Sequence, residues 1–248
     1  LFSPHDVPGL YDAFGTESFD DLYTSYESDG SVPRKTIGAQ ELFLDILKER
    51  AETGRLYIMN IDHCNSHSSF LDKVEMSNLC QEITLPTKPL EHIDDPNGEI
   101  ALCILSAVNV GKIRDLDDLK VLCDLAVRSL DELIDFQNYP INAAEIATKA
   151  RRSLGIGFIG LAHYLAKHGH DYNDPGAWQL VHNLTEAFQY YLISATVDLA
   201  EEKGACEYSS RTKYGNGILP IDTYKHDVDE IVPNELHYDW EDLRLRVK

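Results

Sequence analysis

The segment SNLCQE, Ser77 to Glu82, brings an amide, a thiol and a carboxylate together in six residues. Asn78, Cys80 and Glu82 occupy alternating positions, and side chains two residues apart in an extended segment point to the same side. Two of the three groups are polar, and a protein core excludes polar groups that lack partners. The spacing therefore predicts that the three groups face one spot, just before the turn-rich sequence LPTKP.

Two interpretations of Cys80 are open. Cysteine behaves as a small hydrophobic residue, so the first interpretation is a purely structural role in packing. The functional alternative is one-electron chemistry, because a thiyl radical can act on an unactivated C–H bond and a thiolate cannot. Glu82 can then take a proton from an adjacent hydroxyl as a general base. Asn78 can hydrogen-bond a developing oxyanion or hold the carboxylate in place.

A second thiol, Cys103, lies in the apolar segment from Glu99 to Val110. The segment is apolar on both faces of a strand pattern, which predicts a strand buried on both sides in a parallel sheet. A dithiol sheltered from water can supply two electrons and become a disulfide. Cys103 is a candidate half of such a dithiol, and its mate would have to come from elsewhere.

Three further patterns favour structural interpretations. Gly155, Gly157 and Gly160 match the dinucleotide fingerprint G-x-G-x-x-G, but that motif follows an apolar strand and a polar helical sequence precedes it here. We interpret these glycines as a corner between two helices. The residues DHCNSHSS lack the second ligand pair of a structural zinc site and predict a loop, with no metal bound. The pair Arg151-Arg152 is typical of a solvated helix face.

The elements that must position these groups indicate an α/β protein with early strands and late helices. A helix is predicted from Gln40 to Arg50, closed by Gly54, and a strand from Arg55 to Ile61. The later helices are predicted to follow an Asp115 cap, to continue from Asn142 and through FIGLAHYLAKH, to run between Asp174-Pro175 and Gly204, and to open at YDWEDL.

Composition excludes several classes of function. The 248-residue chain is 43% hydrophobic, which allows a substantial core. Its net charge of −20 repels phosphate backbones, so direct nucleic-acid binding is not expected. No apolar run approaches the roughly 20 residues that span a bilayer, and no secretory signal opens the chain. Five widely spread cysteines are typical of the reducing cytoplasm.

The two ends of the sequence suggest a larger protein. The chain begins LFSPHDVPG without an initiator methionine and ends on LRLRVK inside a predicted helix. We expect residues 1–248 to form a single incomplete segment of a longer polypeptide.

Several segments resemble one enzyme family in the same order along the chain. SNLCQEITLPTKPL, NGEIALCILSAVNVG, TGRLYIMNIDHCNSH and RRSLGIGFIGLAHYLAKHG resemble the middle of the large, catalytic α subunit of class I ribonucleotide reductase. The resemblance implies a portion of a ten-stranded α/β barrel, with the radical cysteine on a central finger loop and a helix-rich C-terminal half. It also implies reduction of ribonucleoside diphosphates to deoxyribonucleotides for DNA synthesis.

The resemblance also assigns roles to residues. Cys80 matches the cysteine that becomes the thiyl radical and abstracts the ribose 3′ hydrogen, and Glu82 matches the general base on the 3′ hydroxyl. Asn78 matches the amide that assists the base, and Asn78, Leu79, Cys80 and Glu82 match the substrate-binding segment. Cys103 matches one cysteine of the redox pair that reduces the 2′ position, and its partner is absent from this chain.

The family's remaining parts lie outside this sequence, so we expect the isolated segment to be inactive and to bind no cofactor or metal. The implied partners are the missing portions of the large subunit, the small β subunit whose metal centre supplies the radical, and thioredoxin or glutaredoxin. Nucleotide effectors (ATP and dNTPs) bind regions that this segment lacks. Two alternatives stay open: an anaerobic or glycyl-radical-type relative, and a non-catalytic interaction module in which Cys80 and Glu82 are packed.

Overall fold

The computed structural model describes residues 1–231 and 235–248. Over these residues the chain is rich in helices, with a small parallel sheet. The helices and strands are, in chain order, α1 (Ser18–Ser28), α2 (Ala39–Thr53), α3 (Ile61–His67), β1 (Ile104–Asn109), α4 (Leu116–Phe136), α5 (Asn142–Arg151), β2 (Leu154–Ile159), α6 (Leu161–Lys167), α7 (Pro175–Lys203) and α8 (Trp240–Val247).

The chain divides into two compact units. The smaller unit comprises residues 1–68 and 74–84, and the larger unit comprises residues 69–73 and 85–248. The segment SNLCQE therefore belongs to the smaller unit, whereas Cys103 and both strands belong to the larger one.

The smaller unit confirms the helix predicted from Gln40 to Arg50, which is α2, and corrects the segment after it. Helix α2 ends at Gly54, whose φ of +65° is the left-handed conformation that glycine adopts most easily. The predicted strand from Arg55 to Ile61 is wrong, because residues 55–60 form no regular element. The predicted loop after it is wrong as well, since α3 begins at Ile61.

The side chain of Asn65 stabilises α3 by hydrogen bonds within the helix and to a later residue. Its Nδ2 donates to Ile61 O at 2.9 Å, one helical turn earlier, and to Val74 O at 2.8 Å. Its Oδ1 accepts from Val74 N at 2.8 Å. The side chain thus links the helix to a buried residue three positions before SNLCQE, a long-range contact that local sequence patterns do not reveal.

The larger unit is organised around the parallel pair β1–β2, in which Leu105 lies opposite Gly155 and Val108 lies opposite Phe158. One face of this pair carries Val108, Ile156 and Phe158 and packs against α4 and α7. The Phe158 ring meets Phe188 of α7 edge to face at 5.5 Å between centroids. That contact joins the sheet to the longest helix.

Two predictions about these strands need correction. The strand predicted within Glu99 to Val110 is confirmed over Ile104–Asn109 as β1, which begins just after Cys103. One of its faces is exposed at Leu105 and Ala107, so burial on both sides is wrong for this chain. The predicted helix corner at LGIGFIG is also wrong, because this segment forms β2. Arg152 ends α5 in the left-handed conformation, φ +49°, and the chain then turns into the strand.

The long helices agree with their predicted boundaries. The Asp115 side chain accepts from Asp118 N at 2.9 Å and caps α4. Asp174 accepts from Gly176 N at 2.8 Å and caps α7, which begins with Pro175. No helix in the described ranges is both long and apolar enough to cross a membrane.

The C-terminal helix α8 is confirmed and is fastened to α7 through Glu186. This buried carboxylate accepts from His237 N at 2.8 Å and from Trp240 Nε1 at 3.0 Å. Burial alone would raise the pKa of Glu186, but the hydrogen bonds from Trp240 and His237 hold the pKa below its ordinary value. The carboxylate therefore stays ionised while it anchors the chain before α8.

Candidate functional site

The segment SNLCQE forms a tight turn in place of the extended conformation that the alternating pattern predicted. Gln81 N donates to Asn78 O at 3.1 Å, which puts Leu79 and Cys80 at the two central positions of the turn. Gln81 then adopts a φ of +61°, which is uncommon for a residue with a side chain. The prediction that all three groups share one side of an extended strand is therefore wrong.

The turn nevertheless brings Asn78 and Glu82 together. Asn78 Nδ2 donates to Glu82 Oε1 at 2.7 Å, and Asn78 Oδ1 accepts from Ile83 N at 3.1 Å. Ser77 Oγ donates to Ile83 O at 2.7 Å and closes the base of the turn. Because both ends of the Asn78 amide are bonded, the amide orients the carboxylate of Glu82.

A neutral amide is a suitable partner for a general base. It fixes one carboxylate oxygen through a single hydrogen bond. The Glu82 side chain is exposed, so its carboxylate is accessible. The pair can therefore accept a proton at a defined position.

Cys80 lies at the tip of this turn with an exposed, free thiol. Its neighbour Leu79 is 80% exposed. A packed, structural cysteine is found elsewhere in this chain: Cys123 is fully buried in α4. Burial raises the pKa of the Cys123 thiol to about 12 and keeps it inert. Exposure of Cys80 favours a reactive role over packing.

Cys103 lies one residue before β1 and is half-buried. Its thiol donates weakly to Ile104 O at 3.9 Å. Along the strand it shares a face with Leu105, which is the exposed face of the β1–β2 pair. The sulfur is thus positioned by a regular strand, unlike the sulfur of Cys80.

A buried ion pair that sequence reasoning missed lies in the larger unit. Arg151 Nη2 donates to Glu99 Oε2 at 2.7 Å, and Lys88 Nζ approaches Glu99 Oε1 at 2.6 Å. Glu99 is 2% exposed and Arg151 is 8% exposed. Burial alone would raise the pKa of Glu99, but the hydrogen bonds from Lys88 and Arg151 hold the pKa below its ordinary value.

The same arginine also contacts the start of the segment that carries Cys80. Arg151 Nη1 donates to Asp72 Oδ2 at 3.1 Å, and Arg211 Nη2 approaches the same oxygen at 2.7 Å. Asp72 precedes the point where the chain leaves the larger unit, and Lys88 follows its return. The network therefore ties both ends of that segment within the larger unit.

The predicted solvated face for Arg151-Arg152 is wrong. Arg151 is buried in this network, and Arg152 binds Asp131 and Asp135 of α4. The one available signal was Glu99, a carboxylate at the start of an otherwise apolar segment, which needs a cation when it is buried.

The zinc alternative receives no support from the residues that the structure describes. His63 and Cys64 lie on helix α3, and within the described ranges no group of three or more His, Cys, Asp or Glu side chains is arranged to hold a metal ion.

A surface groove of about 380 Å³ lies between α6 and the first turns of α7. Apolar side chains form most of it, with Leu161, Tyr172, Trp178 and His182 in its lining. Its lining includes neither Cys80, Glu82 nor Cys103.

Comparisons with known proteins agree with each other. A family model described as the ribonucleotide reductase barrel domain matches residues 1–248. The ribonucleoside-diphosphate reductase subunit alpha of Haemophilus influenzae is 57% identical over 253 residues, and subunit alpha of reductase 1 from Escherichia coli K12 is 56% identical over 253 residues. The alpha subunit of Enterobacteria phage T4 is 40% identical over 256 residues.

The alignments cover all of this chain but only part of each relative. Each covers 100% of this chain, but only 34% of the Haemophilus protein and 33% of the Escherichia coli and phage proteins. The chain therefore spans about a third of the length of the curated relatives that it matches.

Proposed function

The chain belongs to the ribonucleotide reductase barrel-domain family, and from this premise we propose that it supplies the radical and base part of a ribonucleoside-diphosphate reductase active site. The observation that carries the proposal is the hydrogen bond from Asn78 to Glu82 beside the exposed thiol of Cys80. One turn thus holds a hydrogen-atom acceptor, a base and the group that orients the base.

The proposed first step divides a hydrogen atom and a proton between two residues. A thiyl radical at Cys80 takes the 3′ hydrogen atom of the ribose, which regenerates the thiol and leaves a carbon radical. Glu82 accepts the proton of the 3′ hydroxyl. Asn78 holds the Glu82 carboxylate by its amide throughout this step.

The proposed second step reduces the 2′ position. The 2′ hydroxyl leaves as water, and a dithiol supplies two electrons and two protons as it becomes a disulfide. The Cys80 thiol then returns its hydrogen atom to the 3′ carbon, which regenerates the thiyl radical, and Glu82 returns the proton to the 3′ oxygen. Cys103 is one proposed thiol of that pair, and its mate comes from outside this chain. The exposed face on which Cys103 lies gives that mate a route of approach.

We further propose that the chain contributes to the ten-stranded barrel of the family. In that arrangement β1 and β2 are two of the barrel strands, and the turn at residues 78–81 is the tip of the central finger loop. The apolar residues Leu105 and Ile159 on the exposed sheet face would then be covered by the barrel interior. Closed walls would keep water and oxygen from the radical.

The proposed partners follow from the same family membership. A small β subunit supplies the radical from its own metal centre, and thioredoxin or glutaredoxin reduces the disulfide. The substrate is a ribonucleoside diphosphate, and nucleotide effectors bind parts of the α subunit that this chain lacks. We propose that this activity takes place in the cytoplasm. The net charge of −20 argues against a direct nucleic-acid partner.

Two substitutions of Glu82 test the base. Glu82→Gln keeps an oxygen that accepts from Asn78 but cannot take a proton, whereas Glu82→Ala removes both functions. In the assembled reductase we expect both variants to lose deoxyribonucleotide formation while the unfolding transition is unchanged, because Glu82 is exposed. Wild-type turnover by Glu82→Gln would show that the carboxylate is not the base.

A further inference from the structure

Gly155 in β2 lies directly beneath the side chain of Cys103. A Cβ atom added at position 155 would lie 2.9 Å from Cys103 Sγ and closer still to Leu105 Cδ2. Real Cβ atoms essentially never approach other atoms within 3.0 Å. The sulfur of Cys103 therefore occupies space that any side chain at position 155 would fill.

Gly157 provides a contrast on the same strand. It lies two residues further along β2, so it faces the same side as Gly155. A Cβ atom there would meet nothing within 4 Å. Neither glycine has a positive φ, so backbone freedom explains neither of them. The requirement for glycine at position 155 comes from the thiol and the leucine above it.

We infer that Gly155 is a positioning residue for Cys103, because its missing side chain lets the thiol lie across β2 on the exposed face of the sheet. This inference rests on the proposed redox role of Cys103. Cysteine χ1 occupies one of three staggered rotamers, and a methyl group at position 155 excludes the present one. A rotated sulfur leaves the position in which it is proposed to meet the mate thiol.

Disulfide formation is sensitive to this displacement. The two sulfurs must come to about 2.0 Å with a restricted dihedral angle, so the Cβ atoms must lie about 3.5–4.5 Å apart. A misplacement of about 1 Å can lower a rate by about 100-fold. Gly155 thus contributes to the rate of the reductive step without touching the substrate.

The test compares Gly155→Ala with Gly157→Ala in the assembled reductase. Both variants add one methyl group to the same face of β2. Two readouts are followed by peptide mapping: alkylation of Cys103 by iodoacetamide, and the Cys103 disulfide formed on substrate addition without external reductant. We expect Gly155→Ala to alkylate Cys103 faster, because the thiol turns outward, and to form the disulfide about 100-fold more slowly. Gly157→Ala should match wild type in both.

A double variant keeps the test valid if Gly155→Ala folds poorly. Leu105→Ala removes the closer of the two contacts, so in Leu105→Ala/Gly155→Ala only the clash with the sulfur is left. Its Cys103 disulfide should form about 100-fold more slowly than that of Leu105→Ala alone. Equal rates in these two variants would overturn the inference, as would wild-type alkylation or wild-type disulfide formation in Gly155→Ala.

The two readouts separate this inference from the proposed function. If wild-type protein forms no Cys103 disulfide on turnover, the proposed redox role fails. Altered alkylation in Gly155→Ala alone would still establish that Gly155 sets the position of the sulfur.

Discussion

The two thiols assigned to the chemistry are held in place by different kinds of structure. Cys80 lies at the tip of the turn at residues 78–81, which is held by hydrogen bonds from neighbouring residues, Asn78 to Glu82 and Ser77 to Ile83. Cys103 lies one residue before a strand whose inner face is packed against α4 and α7. The first position is set locally, and the second is set by distant parts of the chain.

This difference matches what each thiol is proposed to do. A sulfur that takes a hydrogen atom from a sugar must project from the backbone, with its base a few residues away. A sulfur that pairs with a second thiol needs a fixed position on a surface that the mate can reach. Hydrogen bonds within a turn allow the Cys80 sulfur to project. A strand pair with Gly155 next to the Cys103 sulfur gives that sulfur a fixed position.

The comparison predicts that the larger unit can be destabilised without changing the bonds of the turn. Arg151→Met removes the guanidinium from Glu99 and Asp72, and breaking a buried ion pair of this kind lowers the free energy of unfolding by about 3–5 kcal/mol. Urea unfolding measures the loss. Arg114→Met is the control, because its ion pair with Asp118 is exposed, and no measurable loss is expected there.

The same network predicts a pH dependence. The pKa of Glu99 is lower in the folded chain than its ordinary value of 4.5, so its contribution to stability is complete above pH 4.5. The contribution is lost as the pH falls through the folded pKa. Glu99→Gln should be less stable than wild type at neutral pH, and the difference should shrink as the pH falls below 4.5. A difference that is constant across this range would contradict the ionised pair.

Within the turn, Asn78→Ala should affect chemistry more than folding. It removes both the donor to Glu82 and the acceptor for Ile83 N, so the carboxylate is no longer oriented. We expect the rate of nucleotide reduction to fall about 100-fold.

Ser77→Ala is the matched control for Asn78→Ala in the same turn. It removes the bond to Ile83 O and a longer bond to Asn78 Oδ1 at 3.3 Å, but it keeps the donor from Asn78 to Glu82. It should lower the free energy of unfolding by about 1 kcal/mol. Equal reduction rates in the two variants would show that Asn78 does not orient the base.

Much of the helical structure could be predicted because its signals are local. Asp115 and the pair Asp174-Pro175 mark the starts of α4 and α7, and Gly204 marks the end of α7. Strand β2 could not be predicted in the same way, because the contacts of Ile156 and Phe158 with α4 and α7 come from distant positions. Helix α3 was missed for the same reason, since Asn65 bonds to Val74.

The candidate site shows the same division. The residues of the turn could be selected from their types and spacing, but the extended geometry was wrong because Asn78 and Gln81 close a turn. The roles of Arg151 and Gly155 could not be predicted. Arg151 depends on Glu99 and Asp72, which are 52 and 79 residues away in the chain. Gly155 depends on Cys103, which only the pairing of β1 with β2 brings close.

The most direct measurement of the central claim compares Cys80→Ser with Cys64→Ser in the assembled reductase. Both replace a sulfur by an oxygen in the smaller unit, but only Cys80 lies beside Glu82 in the turn. We expect no deoxyribonucleotide formation from Cys80→Ser, normal formation from Cys64→Ser, and the same unfolding transition for both. Deoxyribonucleotide formation by Cys80→Ser at the wild-type rate would contradict the assignment of the radical to Cys80.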